Sequence, residues 1–478
     1  MKEKLKKFKE FATDILPHEA RYLCSIQQFE DDEKLEILHT IQYNCNHINQ
    51  PCPFNTTIDK RKYSNLKNWI HKKLDEINVD RHFEWINEMD RRVMTDTLRP
   101  EDERQLFRML KSYPRSQFYF MKFYELAVNL RQFLLIRLRY KEHEAVHQFV
   151  ENHREAYLKS KEINEKMHKA SIDIINKYSL NNTESKHWEK WLLEVFYNEG
   201  LDGLNRYFAA VRLTFVYFNY REYDKINQLN TTLDQLLSQG VFYTRRILLN
   251  HYANCLLLHS KLDILQQAEE YGYLSIKQKN EDHLKYLNNY SAILLRQGKI
   301  DKALHLMRQA MPEMRNTNNF HNKIGFAAFY MKCLCLNEQA ADAERFGTSF
   351  LRIYKQEVLE QRWHVFFVSY LQAMIKQEKF AEVLKTIRKY NILEKDQIFQ
   401  SSVIYLPTIV WYEALAQYME GKINAETLVQ TLTENSSQYI TNPHKASLLK
   451  KLIDELSAYV PTISRTVKSN LIQKELIT

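Results

Sequence analysis

His143, Glu144 and His147, in the run HEAVHQFVENH, combine the side chains and spacing needed to activate water on a metal. Residues four apart on a helix share a face, so both imidazoles can reach one zinc ion while Glu144 takes a proton from bound water. On this reading the chain is a zinc-dependent metallohydrolase, with His143 and His147 as ligands and Glu144 as the base. His153, six residues after His147, stands where a third ligand would follow.

The elements around the motif argue against that chemistry. The pattern is similar to that of metzincin-type proteases, but those have a glycine where this chain has Val150. Val146, Phe149, Val150, His153, Tyr157, Ile163, Met167, Ala170 and Ile174 recur at spacings near three and four, the stripe of one long helix. On an unbroken helix His153 points about 240° around the axis from His147. Glu162 and Glu165 lie on the same helix and cannot fold back to the metal. The sequence therefore favours a non-catalytic chain with no cofactor, and zinc remains the alternative.

Other clusters carry less. Cys45, His47 and Cys52 surround a proline-flanked turn, without CxxC spacing and without an evident fourth ligand. Cys333 and Cys335 fall on different faces of a helix and read as core. Lys60, Arg61, Lys62, Lys72 and Lys73 read as solvated faces. No glycine-rich phosphate loop and no nucleophile elbow occurs.

With 8 Gly and 9 Pro in 478 residues, the chain has few turn formers, which predicts an all-α protein. No apolar run is long enough to span a membrane. The charged first residues predict no secretion signal; Leu5, Phe8, Ala12 and Ile15 instead mark a short amphipathic helix that docks on the body. Six cysteines make no disulfide framework, consistent with a cytoplasmic protein. The net charge of +9 is scattered, so nucleic acid is not the expected partner.

Four segments follow from the punctuation: an N-terminal helical region at 1–113, a long-helix bundle segment at 114–199, helical repeats at 200–430 and C-terminal capping helices at 431–478. Asn49 to Pro53 and Asn181 to Thr183 are read as helix breaks. Tyr290, Tyr330 and Tyr370 are forty residues apart, and thirteen residues after each come Ala303, Ala343 and Val383. A fixed period of this size marks stacked helical hairpins. Looser copies begin near Leu213, Tyr252 and Glu413.

The unit from Tyr290 to Ala310 resembles the tetratricopeptide repeat. Ser291 and Leu294 take the small and apolar positions of its first helix, Gly298 the turn, and Ala303, Met307 and Ala310 the packing positions of the second. The copies depart from that pattern at Met331, Leu371 and Gly347, and their period exceeds the family's usual length. The resemblance implies a right-handed superhelix following an N-terminal bundle, with first helices lining a groove. It places Asn250, Asn254, Asn288, Arg296, Lys332, Gln372 and Lys376 toward that groove. Amides that hold a backbone, together with cations, suit a protein or an acidic peptide segment as partner. The expected function is that of a scaffold, adaptor or regulator. A bundle followed by such repeats also resembles the layout of bacterial peptide-sensing regulators of the Rap type, in which a bound peptide repositions the bundle.

Overall fold

The computed structural model describes residues 5–48, 50–180, 184–400, 405–434, 436 and 443–473. Asn49 and Asn181 to Thr183, read above as helix breaks, lie outside these residues, as does part of the expected capping segment. The described residues are all-α, without a strand among them. They divide into two compact units: residues 1–264 with 273–278, and residues 265–272 with 279–478.

The first unit begins with α1 (Lys6–Asp14), α2 (Pro17–Ile26), α3 (Asp32–Asn46), α4 (Lys60–Ile77), α5 (Val79–Met94) and α6 (Pro100–Leu110). Local chemistry sets several of the starts. Asp31 accepts from the backbone of Glu33 and Lys34, and Asn78 from that of Asp80 and Arg81, which satisfies two of the open donors of each of α3 and α5. Helix α1 docks as expected: Phe8 and Ala12 are buried, and the Phe8 ring meets Phe54 and Tyr63.

Next come α7 (Phe120–Ile136), α8 (Tyr140–Leu180), α9 (Glu189–Tyr197), α10 (Gly203–Tyr220), α11 (Tyr223–Ser238) and α12 (Arg245–Lys261). Helix α8 runs unbroken for 41 residues, and Val146, Phe149, Val150, Ile163, Met167, Ala170 and Ile174 form its buried stripe. That stripe lies on α7 and α10. Helix α2 packs on α3 and α11, and α11 packs on α12.

Helix α13 (Leu265–Ser275) gives its residues to both units. The second unit continues with α14 (His283–Arg296), α15 (Ile300–Gln309), α16 (Met311–Asn316), α17 (Phe320–Leu336), α18 (Ala340–Ile353), α19 (Lys355–Glu357), α20 (Trp363–Ile375), α21 (Phe380–Lys389), α22 (Ile392–Phe399), α23 (Thr408–Met419), α24 (Ala425–Glu434), α25 (Pro443–Leu456) and α26 (Pro461–Gln473). Four hairpins stand out: α14/α15, α17/α18, α20/α21 and α23/α24. Each first helix packs on the next first helix, and the second helices α15, α18 and α21 pack on the first helix that follows them. This nearest-neighbour pattern is that of a solenoid-like array.

The forty-residue period has a backbone counterpart. Gly298, Glu338, Glu378 and Gly421 all adopt positive φ, between 57° and 74°, immediately after a first helix. In each case the following N–H reaches back five residues, as in Lys299 to Leu294 O and Lys379 to Met374 O. These are Schellman closures, which satisfy the last carbonyls of the helix. Arg221 and Asp263 close α10 and α12 in the same way. Only two of the six positions are glycine, so four of these turns carry no glycine signal.

The array's departures from the small-residue pattern are sterically matched. Met331 is large, and Gly347 on α18 is the compensating gap. A Cβ at Gly347 would stand 2.5 Å from the Tyr370 ring and 2.7 Å from the Met331 sulfur. Tyr370 instead lies across that gap, with its hydroxyl 2.8 Å from Thr348 Oγ1. Ala303, Ala343 and Val383 are fully buried near the starts of α15, α18 and α21, as the period predicts. Gln297 and Gln377, each just before a turn, donate to the carbonyls of Leu265 and Ala340 in the preceding second helices.

Candidate functional site

The HEAVH residues lie near the start of α8. The His143 and His147 rings stack nearly parallel, 5.8 Å apart between centroids. Arg131 reaches to within 3.4 Å of His147 Nδ1 and to 3.4 Å of the Glu151 carboxylate, so a cation already occupies the approach to that ring. Glu144 is exposed and accepts a hydrogen bond from Gln148. Because α8 continues past Val150, His153 turns away; its Nδ1 meets Phe149 O at 2.8 Å and its ring stacks on Phe149. Among the described residues, no third ligand joins His143 and His147.

The Cys45, His47 and Cys52 cluster is also dispersed. Cys45 is buried and donates its thiol to Ile15 O, and burial pushes its pKa up to about 12. The His47 ring stacks on Tyr43, and Cys52 is exposed.

The residues expected to line a groove fall into two kinds. Arg296, Lys332 and Lys376 are exposed near the C-terminal ends of the first helices α14, α17 and α20. Lys332 and Lys376 enter no ion pair with the described residues. Asn250 and Asn254, on α12 in the first unit, are half-buried and bonded to each other at 3.2 Å. Asn288 and Gln372 are buried. Gln372 donates to Glu455 Oε1 at 2.8 Å, and the same oxygen accepts from Tyr412, so this amide is engaged inside the second unit. The Asn288 Oδ1 is buried without a hydrogen bond. Helix α12 also carries its turn residue, Asp263, eleven positions after Tyr252, against eight after Tyr290, Tyr330 and Tyr370. Tyr252 therefore sits about one helical turn earlier on its helix than the other three.

Sequence reasoning missed a concentration of buried polar chemistry in the first unit, where α2, α11 and α12 meet. His18, at 2% exposed, places Nε2 2.7 Å from Asp234 Oδ1 and Nδ1 2.8 Å from the Tyr252 hydroxyl. Burial lowers the His18 pKa to about 4, so the ring is neutral at pH 7. Those partners assign the tautomer: Nε2–H donates to the carboxylate, and the Tyr252 hydroxyl donates to Nδ1. Arg21 holds the other carboxylate oxygen, Oδ2, at 2.8 Å. Burial alone would raise the Asp234 pKa, but hydrogen bonds from His18 and Arg21, with the His251 ring beside it, hold it far below the usual carboxylate range.

His251 is at the same place. Its Nε2 lies 3.8 Å from Asp234 Oδ1 and 3.7 Å from Cys255 Sγ, and its Nδ1 is buried with no hydrogen-bond partner. One nitrogen of His18, one of His251 and one oxygen of Asp234 lie within 4.8 Å of one another. Close by, Glu19 is buried, accepts from Tyr243 Oη at 2.7 Å and from Arg245 Nε at 2.8 Å, and takes the Leu16 N–H. The meeting of His251 and Asp234 with His18 spans more than 200 residues and left no periodic trace.

No helix among the described residues is long and apolar enough to cross a membrane. No protein-family model matches the chain, and no curated protein is significantly similar to it.

Proposed function

We propose that the chain is a non-catalytic protein- or peptide-binding protein, built on tetratricopeptide-like hairpins, that acts as a scaffold, adaptor or regulator. The observation that carries this reading is the register of the second unit. Successive first helices lie against one another, and each is closed by the same left-handed turn at Gly298, Glu338, Glu378 and Gly421. A stack of equivalent helices repeats one surface position at regular intervals, which suits an extended ligand.

Arg296, Lys332 and Lys376 supply cations on three consecutive first helices. Carboxylates on an acidic peptide segment complement them. Asn288 and Gln372 serve the array rather than the ligand, because both are buried and Gln372 is held by Glu455.

The test is affinity capture with the whole chain and with a variant carrying Arg296→Glu, Lys332→Glu and Lys376→Glu. The variant is expected to keep its helical content and to lose an acidic partner captured by the parent. If every partner is retained with equal yield, the cations do not form the binding surface.

A further inference from the structure

The cluster at the meeting of α2, α11 and α12 is more than an ion pair. A part-buried pair is tolerated when each member finds its hydrogen bonds. Asp234, His18 and Arg21 meet that condition. His251 meets it only in part: it is 4% exposed, its Nδ1 has no partner, and its Nε2 reaches the Cys255 sulfur at 3.7 Å and stands 3.8 Å from Asp234 Oδ1.

We propose that His18 Nε2, Asp234 Oδ1 and His251 Nε2 form a three-donor binding site for one divalent transition-metal ion, zinc by the character of its donors. Two imidazoles and a carboxylate favour zinc over magnesium or calcium, which take oxygen. The spacing agrees. Ligand atoms around tetrahedral zinc stand about 3.3 Å apart for nitrogen and oxygen. The observed His251–Asp234 separation is 3.8 Å. His18 and Asp234 are closer, at 2.7 Å, because a proton now lies between them. An ion replaces that proton, and the pair opens by about half an ångström to admit it.

The surroundings supply what ligands of this kind need. When Nε2 of His18 binds metal, its proton resides on Nδ1, where the Tyr252 hydroxyl can accept it and fix the ring. Arg21 is the apparent obstacle, since its guanidinium lies 3.1 Å from His18 Nε2. It is also 39% exposed, and its role is to neutralise Asp234, which a divalent ion would take over. Arg21 then swings to solvent or keeps only the outer oxygen. Asp234, at 33% exposed, marks the side from which an ion enters. The three protein donors leave a fourth position to water on the Asp234 side, and the ion ties α2, near the start of the chain, to α11 and α12.

The experiment titrates zinc into the full chain, first stripped with a chelator, against a chromophoric competitor. The expected result is one zinc per chain, with a rise in melting temperature. Asp234→Asn and His251→Gln each weaken binding by at least about tenfold at unchanged helical content. Should those variants fail to fold, Arg21→Gln decides, because the proposal requires it to bind zinc more tightly than the parent. A salt bridge with no metal role predicts no zinc affinity in either form. Cobalt in place of zinc should show tetrahedral visible bands that Asp234→Asn and His251→Gln each weaken. The site is overturned if the stripped chain takes up no zinc. It is equally overturned if uptake survives the Asp234 and His251 changes and disappears in His143→Gln/His147→Gln.

Discussion

The two units solve the same problem, holding helices in register, by opposite means. Around α2, α11 and α12 in the first unit, helix positions are specified by ion pairs and hydrogen bonds centred on the buried Glu19 and His18: Glu19 with Arg245 and Tyr243, and His18 with Asp234 and Arg21 beside it. In the second unit they are specified by shape repeated every forty residues: fully buried Ala303, Ala343 and Val383, the gap at Gly347, and turns of one geometry. Charge pairs act between particular residues and are costly to break. Steric layers are distributed, and each tolerates some change. The first unit should therefore fail at single points, whereas the second should yield by increments.

The largest effect is expected where a buried charge loses its partner. Glu19→Ala leaves Tyr243 without its acceptor and Arg245 with the Asp14 carbonyl alone, and opens the N-terminal turn of α2. We expect a loss of about 3–5 kcal/mol, read from urea unfolding. A loss below about 1 kcal/mol would mean that the first unit is not held by this pair, and the contrast between the units would dissolve.

The second unit contains one buried acid that sharpens the contrast. Asp396 accepts from Tyr405 Oη at 2.6 Å, yet burial raises its pKa to about 6 from an ordinary 3.8. The folded state therefore holds this proton more tightly than the unfolded chain does. The resulting stabilisation is complete below about pH 4 and is lost as pH rises through about 6, amounting to at most about 3 kcal/mol. Asp396→Asn should flatten the profile between pH 4 and 7 while leaving the Tyr405 contact in place. An unchanged profile would show that this carboxyl is not the titrating group.

The smallest effect concerns the turns. Glu378 holds φ at 58° at a position that Gly298 and Gly421 occupy in sister hairpins. Glu378→Gly relieves that strain at some cost in unfolded-state entropy, for a net gain of about 0.5–1 kcal/mol. A fall in melting temperature would show that the exposed Glu378 side chain contributes more than its backbone strain costs.

Much of the second unit was legible. Tyr290 and Ala303 could be placed on paired helices from spacing alone, and the α8 stripe through Val150 was read correctly because helical periodicity is local. The turns at Glu338 and Glu378 were less visible, since glutamate gives no hint of a left-handed conformation that the helix ends impose. Asn288 and Gln372 looked like surface amides, because polarity alone does not reveal a buried amide whose partner, such as Glu455, is distant in sequence.

Residue order and type were enough to establish an all-α chain, the hairpin period and the long unbroken helix, because each depends on interactions between residues a few positions apart. The HEAVH spacing was equally local, but spacing of that kind sets only two ligands on one face and cannot supply a third. The meeting of His18, Asp234 and His251 was decided by packing. Helix α2 had to be brought back to the consecutive pair α11 and α12, about 200 residues further on, before these groups could act on one another at full strength.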